Sequence, residues 1–425
     1  MKRSSLIYTG LAAMAAVLVA ALLLETTELL GVRAEFWLFT LTLLGVALLH
    51  EHTLAVALTG LAFTAALKLS MAPDFHPAAH VLREAPILVN LLGLLLGFAL
   101  LARHFEQSDA PELLPRLLPD GWPGGLALLA MVFVLSAFLD NIAAAMVGGT
   151  VALHVYKKRV DIGFLAAIVA ASNAGGAGSM LGDTTTTMMW IDGVAWTDVL
   201  HAYAAAVPAL LLFGVIAARQ QHAFQPIQEG VEGRHSLHWR PLAAVLLILC
   251  GAIVANLLLD FPAAGVWMAI ALAAPFTRTD WKVVATALPG SLFLVALVSC
   301  ASLMPVETLP PASWQSAFVL GLVSSVFDNI PLTKLALDQG GYDWGVLAYS
   351  VGFGGSMIWF GSSAGVAIST LFPEARSVGR WLARGWHVVL AYVLGFAVLL
   401  GTLGWQAHAP HRPDQASPDS VLPSK

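Results

Sequence analysis

Charge is what this chain of 425 residues has least of: Asp, Glu, Lys and Arg make up 11% of it, less than half of the ~25% usual in soluble domains. With 58% hydrophobic residues and a mean hydropathy of +0.79, the composition excludes both a soluble fold and a soluble domain on one anchor. Cysteine is nearly missing. Cys250 and Cys300 sit in apolar segments without CxxC spacing, so neither a disulfide framework nor a thiolate metal site is indicated. No HExxH occurs, and His50-Glu51-His52 is read as a solvated turn. No small-residue cleavage site follows the apolar run 6–24, which therefore reads as a first transmembrane helix and not a leader. The net charge of −5 carries little information in a membrane protein, and nothing points to a nucleic-acid partner. Glu25, Glu28 and Glu106 fall at span ends, where charges are solvated, and are given no role.

Against that background, two charged pairs stand inside hydrocarbon. Asp140-Asn141 interrupts the apolar run 124–155, and Asp328-Asn329 interrupts the run 314–337. An Asp at membrane depth costs about 2.5–3.5 kcal/mol on insertion scales, so matching contexts imply that something polar faces both. The arms on either side of each pair are shorter than the ~20 residues of a spanning helix. Each run therefore reads as a re-entrant helical hairpin, 124–156 and 314–338, with its tip near the midplane. At such a tip the first arm ends in free carbonyls and the second begins with free N–H groups that Asp or Asn can cap.

After each hairpin comes a helix expected to be broken. Segment 163–191 holds Ser172-Asn173-Ala-Gly175-Gly176-Ala-Gly178 and then Gly182-Asp183-Thr184-Thr185-Thr186-Thr187; segment 344–371 holds Gly352-Phe-Gly354-Gly355-Ser356 and then Gly361-Ser362-Ser363. Glycine weakens a helix by up to ~1 kcal/mol relative to alanine, and the breaks are expected at the Gly-Gly doublets and at Gly-Asp or Gly-Ser. The order hairpin then broken helix occurs twice, an internal repeat.

The expected fold is all-α and polytopic, with about 11 transmembrane helices plus two re-entrant hairpins. A first repeat over 1–218 and a second over 241–404 are joined by a polar linker, 219–240, and followed by a disordered tail, 405–425. With the amino terminus cytoplasmic, fifteen of the 21 Lys and Arg residues fall on the cytoplasmic side, in line with the positive-inside rule. The hairpins then enter from opposite faces, which makes the repeats inverted and places a transport site between broken helices at the midplane. Nothing resembles the ring of a channel filter.

The motifs Leu139-Asp140-Asn141, Gly182-Asp183-Thr184-Thr185-Thr186-Thr187-Met-Met-Trp190-Ile191, Asp328-Asn329-Ile-Pro331 and Gly354-Gly355-Ser356 with Gly361-Ser362-Ser363 resemble those of the NhaD-type sodium/proton antiporters. Their superfamily also contains arsenite permeases and citrate or dicarboxylate carriers. The resemblance covers the second third and most of the final third of the chain. Departures occur at Gly178-Ser179-Met180 and at Lys334, where the family pattern carries a bulkier Trp-Thr-Pro type sequence and small apolar residues. It implies exchange of Na+ or Li+ for H+, with no enzymatic activity and no cofactor beyond the transported ions.

Carboxylate carriers of this superfamily have neutral tips, whereas both tips here carry Asp and Asp183 adds a third acid. Two negative charges 4 Å apart repel by about 4 kcal/mol at an effective dielectric of 20, so a cation or proton is the simpler cargo. The expected Na+ ligands are Asp140, Asp183 and Asp328. Asn141, Asn173, Asn329, Thr184, Thr185, Ser362, Ser363 and the backbone at Gly182 and Gly361 are the neutral groups. Lys334, five residues after Asn329, is a charge partner for Asp328 or Asp183 in one reading and an i,i+4 partner of Asp338 in the other. The competing cargoes are arsenite or another oxyanion, and citrate-type carboxylates. Small inorganic ions, the lipid bilayer and a second copy in a homodimer are the expected partners, and the bacterial inner membrane the expected location.

Overall fold

The computed structural model describes residues 3–24, 26–49, 52–228 and 236–408. Met1, Lys2, Glu25, His50, Glu51 and residues 229–235 and 409–425, on which the expected turn and parts of the expected linker and tail fall, lie outside the described residues. The molecule is a polytopic helical membrane protein. Among the described residues, six helical stretches are long and apolar enough to cross a membrane: Thr53–Met71, Pro77–Gln107, Trp196–Phe224, Trp239–Leu259, Lys282–Ala301 and Trp386–Leu403. Shorter apolar helices accompany them, and one two-residue antiparallel pairing, Glu28–Leu29 with Val32–Arg33, is the sole sheet among the described residues.

Two short helices form the centre. Ile162–Ala177 is buried at every position from Gly163 onward, and Trp344–Gly354 is buried throughout. Apart from Ser172, Asn173 and Ser350, both are apolar around their circumference, a pattern that is stable only when a helix is surrounded. Runs such as Ala-Ala-Ile-Val-Ala-Ala let neighbours approach closely where lipid supplies no hydrophobic drive between helices.

Each of the expected interrupted segments is two helices. The hairpin segments are Trp122–Ser136 with Asn141–Val155, and Trp314–Ser324 with Asn329–Gln339. The broken segments are Ile162–Ala177 with Thr184–Ile191, and Trp344–Gly354 with Ser363–Leu371. Where the first break falls differs from the sequence expectation. Gly175 and Gly176 are helical, and the chain leaves the helix only after Ala177. Packing explains the doublet: a Cβ on Gly175 would lie 2.0 Å from the Phe133 carbonyl oxygen, and one on Gly354 would lie 2.2 Å from that of Gly321. These glycines bring the first hairpin arms against the central helices.

The two halves of the sequence interlock crosswise. Ser363–Leu371, from the second half, packs on Asn141–Val155, and Thr184–Ile191, from the first half, packs on Asn329–Gln339. Tyr203–Phe224 packs along Trp386–Leu403.

Two boundaries shift. The helix Tyr203–Phe224 continues into the polar stretch expected to be linker, and Trp239 already begins the next helix. The first residues of the expected tail are anchored: Gln406 N donates to Asp343 Oδ2 at 2.8 Å, and Gly341 N donates to the His408 carbonyl at 3.1 Å.

Candidate functional site

Four short helices begin at one place, and each starts on a small polar residue. Asp140 precedes Asn141–Val155, Asp183 precedes Thr184–Ile191, Asp328 precedes Asn329–Gln339 and Ser362 precedes Ser363–Leu371. A helix start leaves its first N–H groups without intrahelical partners and carries about half a positive charge. Asp183 Oδ1 accepts from Thr185 N at 3.1 Å, Asp328 Oδ1 from Ile330 N at 3.0 Å and Ser362 Oγ from Gly365 N at 3.3 Å. The Asp140 carboxylate lies near the backbone N–H groups of residues 141–143 but makes no cap hydrogen bond. The capping expected of the tips is thus also the role of Asp183, which lies close enough to Asp140 and Asp328 to feel both charges.

A cavity of 480 Å³ reaches this point between the helices Pro77–Gln107 and Lys282–Ala301. Its deep end is lined by Asp140, Asn141, Asp183, Thr184, Asn329 and Ser363. Its wall is one face of Pro77–Gln107: Leu91, Leu94, Leu95, Phe98, Ala102 and Glu106 recur at helical spacing. Six of the twelve expected residues therefore meet at one cavity, and Asn173, Gly182, Thr185, Asp328, Gly361 and Ser362 are not in its lining. Asp183 is buried, whereas Asp140 and Asp328 are half-buried.

The neutral residues divide by task. Asn141 Nδ2 donates to Asn173 Oδ1 at 3.1 Å, and Asn173 Nδ2 donates to Ser356 Oγ at 2.9 Å and Ser362 Oγ at 3.1 Å. Asn173 is a bridge between the first tip and the second break. Ser363 lies beside the Asp328 carboxylate. Thr186 and Thr187 donate to the carbonyls of Ser179 and Met180, which pins the strand of chain that carries Asp183. Thr185 Oγ1, Asp183 Oδ2 and Asn329 Nδ2 are buried with no hydrogen-bond partner.

Gly182 and Gly361 hold the breaks against the tips. A Cβ on Gly182 would lie 1.9 Å from the Ser136 carbonyl oxygen, and one on Gly361 would lie 2.4 Å from that of Ser325. Among the described residues no three His, Cys, Asp or Glu side chains form a metal-binding group. A cation here would therefore take many of its ligands from hydroxyls, amides and the carbonyls where helices end.

Lys334 is elsewhere. Its ammonium lies 2.6 Å from Asp338 Oδ1 and 3.0 Å from Glu84 Oε2, not at Asp328 or Asp183. The i,i+4 pairing expected from spacing is present. Glu84, more than two hundred positions away in sequence, was not anticipated as its second partner. Sequence reasoning also passed over Ser356, Thr286 and Ser291, the last two of which line the cavity, while Glu106, read as a solvated span-end charge, is exposed and lines it as well. Thr286 and Ser291 each bond the carbonyl four residues back, a habit of any helical Ser or Thr, so their types alone give no signal.

No family model matches the chain. It is similar to Sodium/proton antiporter 1 of Arabidopsis thaliana, 29% identical over 292 residues, which cover 56% of this chain and 48% of that protein. It is similar to the Na+/H+ antiporter NhaD of Vibrio parahaemolyticus, 26% identical over 340 residues, covering 64% of this chain and 78% of the relative. The NhaD of Alkalimonas amylolytica is 27% identical over 337 residues, covering 63% and 67%. The aligned part thus spans about half the length of the plant protein and two thirds or more of the two bacterial ones. As its motifs led one to expect, the chain is a relative of the NhaD-type sodium/proton antiporters.

Proposed function

We propose that this protein exchanges Na+ or Li+ for H+ across a membrane by alternating access. The observation that carries the reading is the grouping of three carboxylates: Asp140 and Asp183 line the deep end of a cavity with mostly apolar walls, and Asp328, next to the lining residue Asn329, lies near Asp183. A carboxylate that holds either a metal ion or a proton, but not both, couples the two fluxes by competition. Three of the four helix starts are already faced by carboxylates, so an anion such as citrate finds little uncompensated positive charge. The printed names of the relatives agree with a cation as cargo.

In this reading the two hairpins are re-entrant, entering from opposite faces, and residues 1–218 and 241–404 are inverted repeats among about 11 spans. The crosswise packing of the halves supports it. The amino terminus is cytoplasmic in a bacterial inner membrane, the cavity mouth near Glu106 faces the cytoplasm, and two copies form a homodimer.

Purified protein in proteoliposomes with an internal pH-sensitive dye tests the reading when challenged in turn with Na+, Li+, K+, citrate and arsenite. Proton movement is expected with Na+ and Li+ alone. A response to citrate or arsenite and none to Na+ would overturn it.

A further inference from the structure

The two halves of the site are not equivalent: the cap is Asp183 in one and Ser362 in the other, and the residue ten positions before each cap differs as well. Asn173 lies ten residues before Asp183, and Gly352 lies ten residues before Ser362. Both occupy central helices, and both face the cap residue of the opposite half. The Asn173 amide meets Ser362 Oγ at 3.1 Å, and a Cβ on Gly352 would lie 3.2 Å from Asp183 Oδ2.

In the first half, the Asn173 carboxamide fills the space beside the tip and accepts from Asn141. In the second half, Gly352 has no side chain to offer. Asn329, the counterpart of Asn141, keeps a buried Nδ2 without a partner, and Asp183 keeps a buried Oδ2 without one. Both residues line the same cavity, and the helix Asn329–Gln339 packs against Trp344–Gly354 and Thr184–Ile191.

Helix packing does not account for this glycine. A Cβ on Gly345 or Gly354, in the same helix, would come within 2.8 Å of neighbouring backbone. At Gly352 the atoms within 4 Å would be only Asp183 Oδ2 and, at 3.6 Å, Ala177 Cβ. A glycine inside a helix costs up to ~1 kcal/mol relative to alanine, and the room it leaves is faced by the Asp183 carboxylate.

The geometry points to the space beside Gly352 as the one cation site of the chain, the corresponding space in the first half being closed by the Asn173 side chain. Asp183 Oδ2 supplies the charge. The Asn329 carboxamide, whose oxygen and nitrogen ends are nearly isosteric, supplies a neutral oxygen. Hard oxygen donors of this kind replace the water shell of Na+ or Li+. The inference rests on the exchange reading and adds to it a location and a count: one metal ion per chain.

Equilibrium binding of radioactive Na+ to the purified full chain tests it, beside the proteoliposome exchange. The wild type is expected to bind one Na+. Gly352→Asn places a carboxamide where the first half has one, and is expected to bind none while retaining the wild-type elution profile and melting temperature. Should that variant fail to fold, Gly352→Ala puts only a methyl group 3.2 Å from Asp183 Oδ2 and is expected to weaken Na+ binding roughly tenfold. Two ions bound per wild-type chain, or undiminished binding by whichever of the two variants folds, would overturn the site. A wild type that neither binds Na+ nor moves protons in response to it removes the exchange reading itself, so the two failures are distinct.

Discussion

The side-chain amide of Asn173 donates to the Ser362 hydroxyl at 3.1 Å while its oxygen accepts from Asn141 at 3.1 Å. One buried carboxamide thereby ties a hairpin tip of the first half to a helix break of the second.

Asn173→Ala would leave the Asn141 amide buried without its acceptor. A buried polar group deprived of its partner costs about 1–3 kcal/mol. The variant is expected to melt earlier than the wild type in detergent and to exchange more slowly. An unchanged melting temperature would show that the bridge does not hold the site together.

Gly182 and Gly361 are expected to tolerate no side chain. The atoms an added methyl would meet are carbonyl oxygens of Ser136 and Ser325, at 1.9 Å and 2.4 Å, and backbone cannot swing aside as a flexible side chain can. Either glycine to alanine must displace the strand carrying Asp183 or Ser362. Gly401→Ala, which meets nothing within 4 Å, is the control. Exchange in proteoliposomes should fall steeply for the first two and stay at the wild-type rate for the third; equal rates in all three would refute the close-approach argument.

Such local features were legible in the sequence because each leaves a local mark. An Asp-Asn pair inside hydrocarbon, or a Gly-Asp followed by four threonines, departs from its own neighbourhood and marks a break. Relations between the halves leave no such mark. Nothing around Asn173 announces Ser362, and nothing around Lys334 announces Glu84, since chain segments far apart come together only through the packing of whole helices. The Gly175-Gly176 doublet misled for a related reason. Helix propensity is a weak prior that tertiary packing overrides, and here the glycines admit a neighbouring carbonyl without ending the helix.

Asp140→Asn and Asp328→Asn separate charge from structure. Asn is about as good as Asp at a helix start, so both variants should fold and melt close to the wild type. One of the two acidic neighbours of Asp183 is neutralised, and Na+-driven proton release is expected to vanish. Wild-type exchange with unchanged apparent Na+ affinity in either variant would exclude the replaced carboxylate from the mechanism.

Lys334 permits the sharpest separation of a structural from a transporting role. Its side chain is 1% exposed, and the two acids it touches, Glu84 and Asp338, are 4% and 12% exposed. Breaking a buried ion pair from one side leaves uncompensated charge and typically costs about 3–5 kcal/mol, whereas replacing all members by uncharged residues of similar size is often neutral. Lys334→Met alone removes the buried cation that Glu84 and Asp338 share and is therefore expected to destabilise the protein markedly. Adding Glu84→Gln and Asp338→Asn should restore the melting temperature. Because the ammonium contacts these acids and not Asp183 or Asp328, the triple variant should also exchange Na+ for H+ with the reversal potential of the wild type. A shifted reversal potential in that stable triple variant would place Lys334 in the transport stoichiometry, and a triple variant as unstable as Lys334→Met would show that the cluster contributes more than the cancellation of its charges.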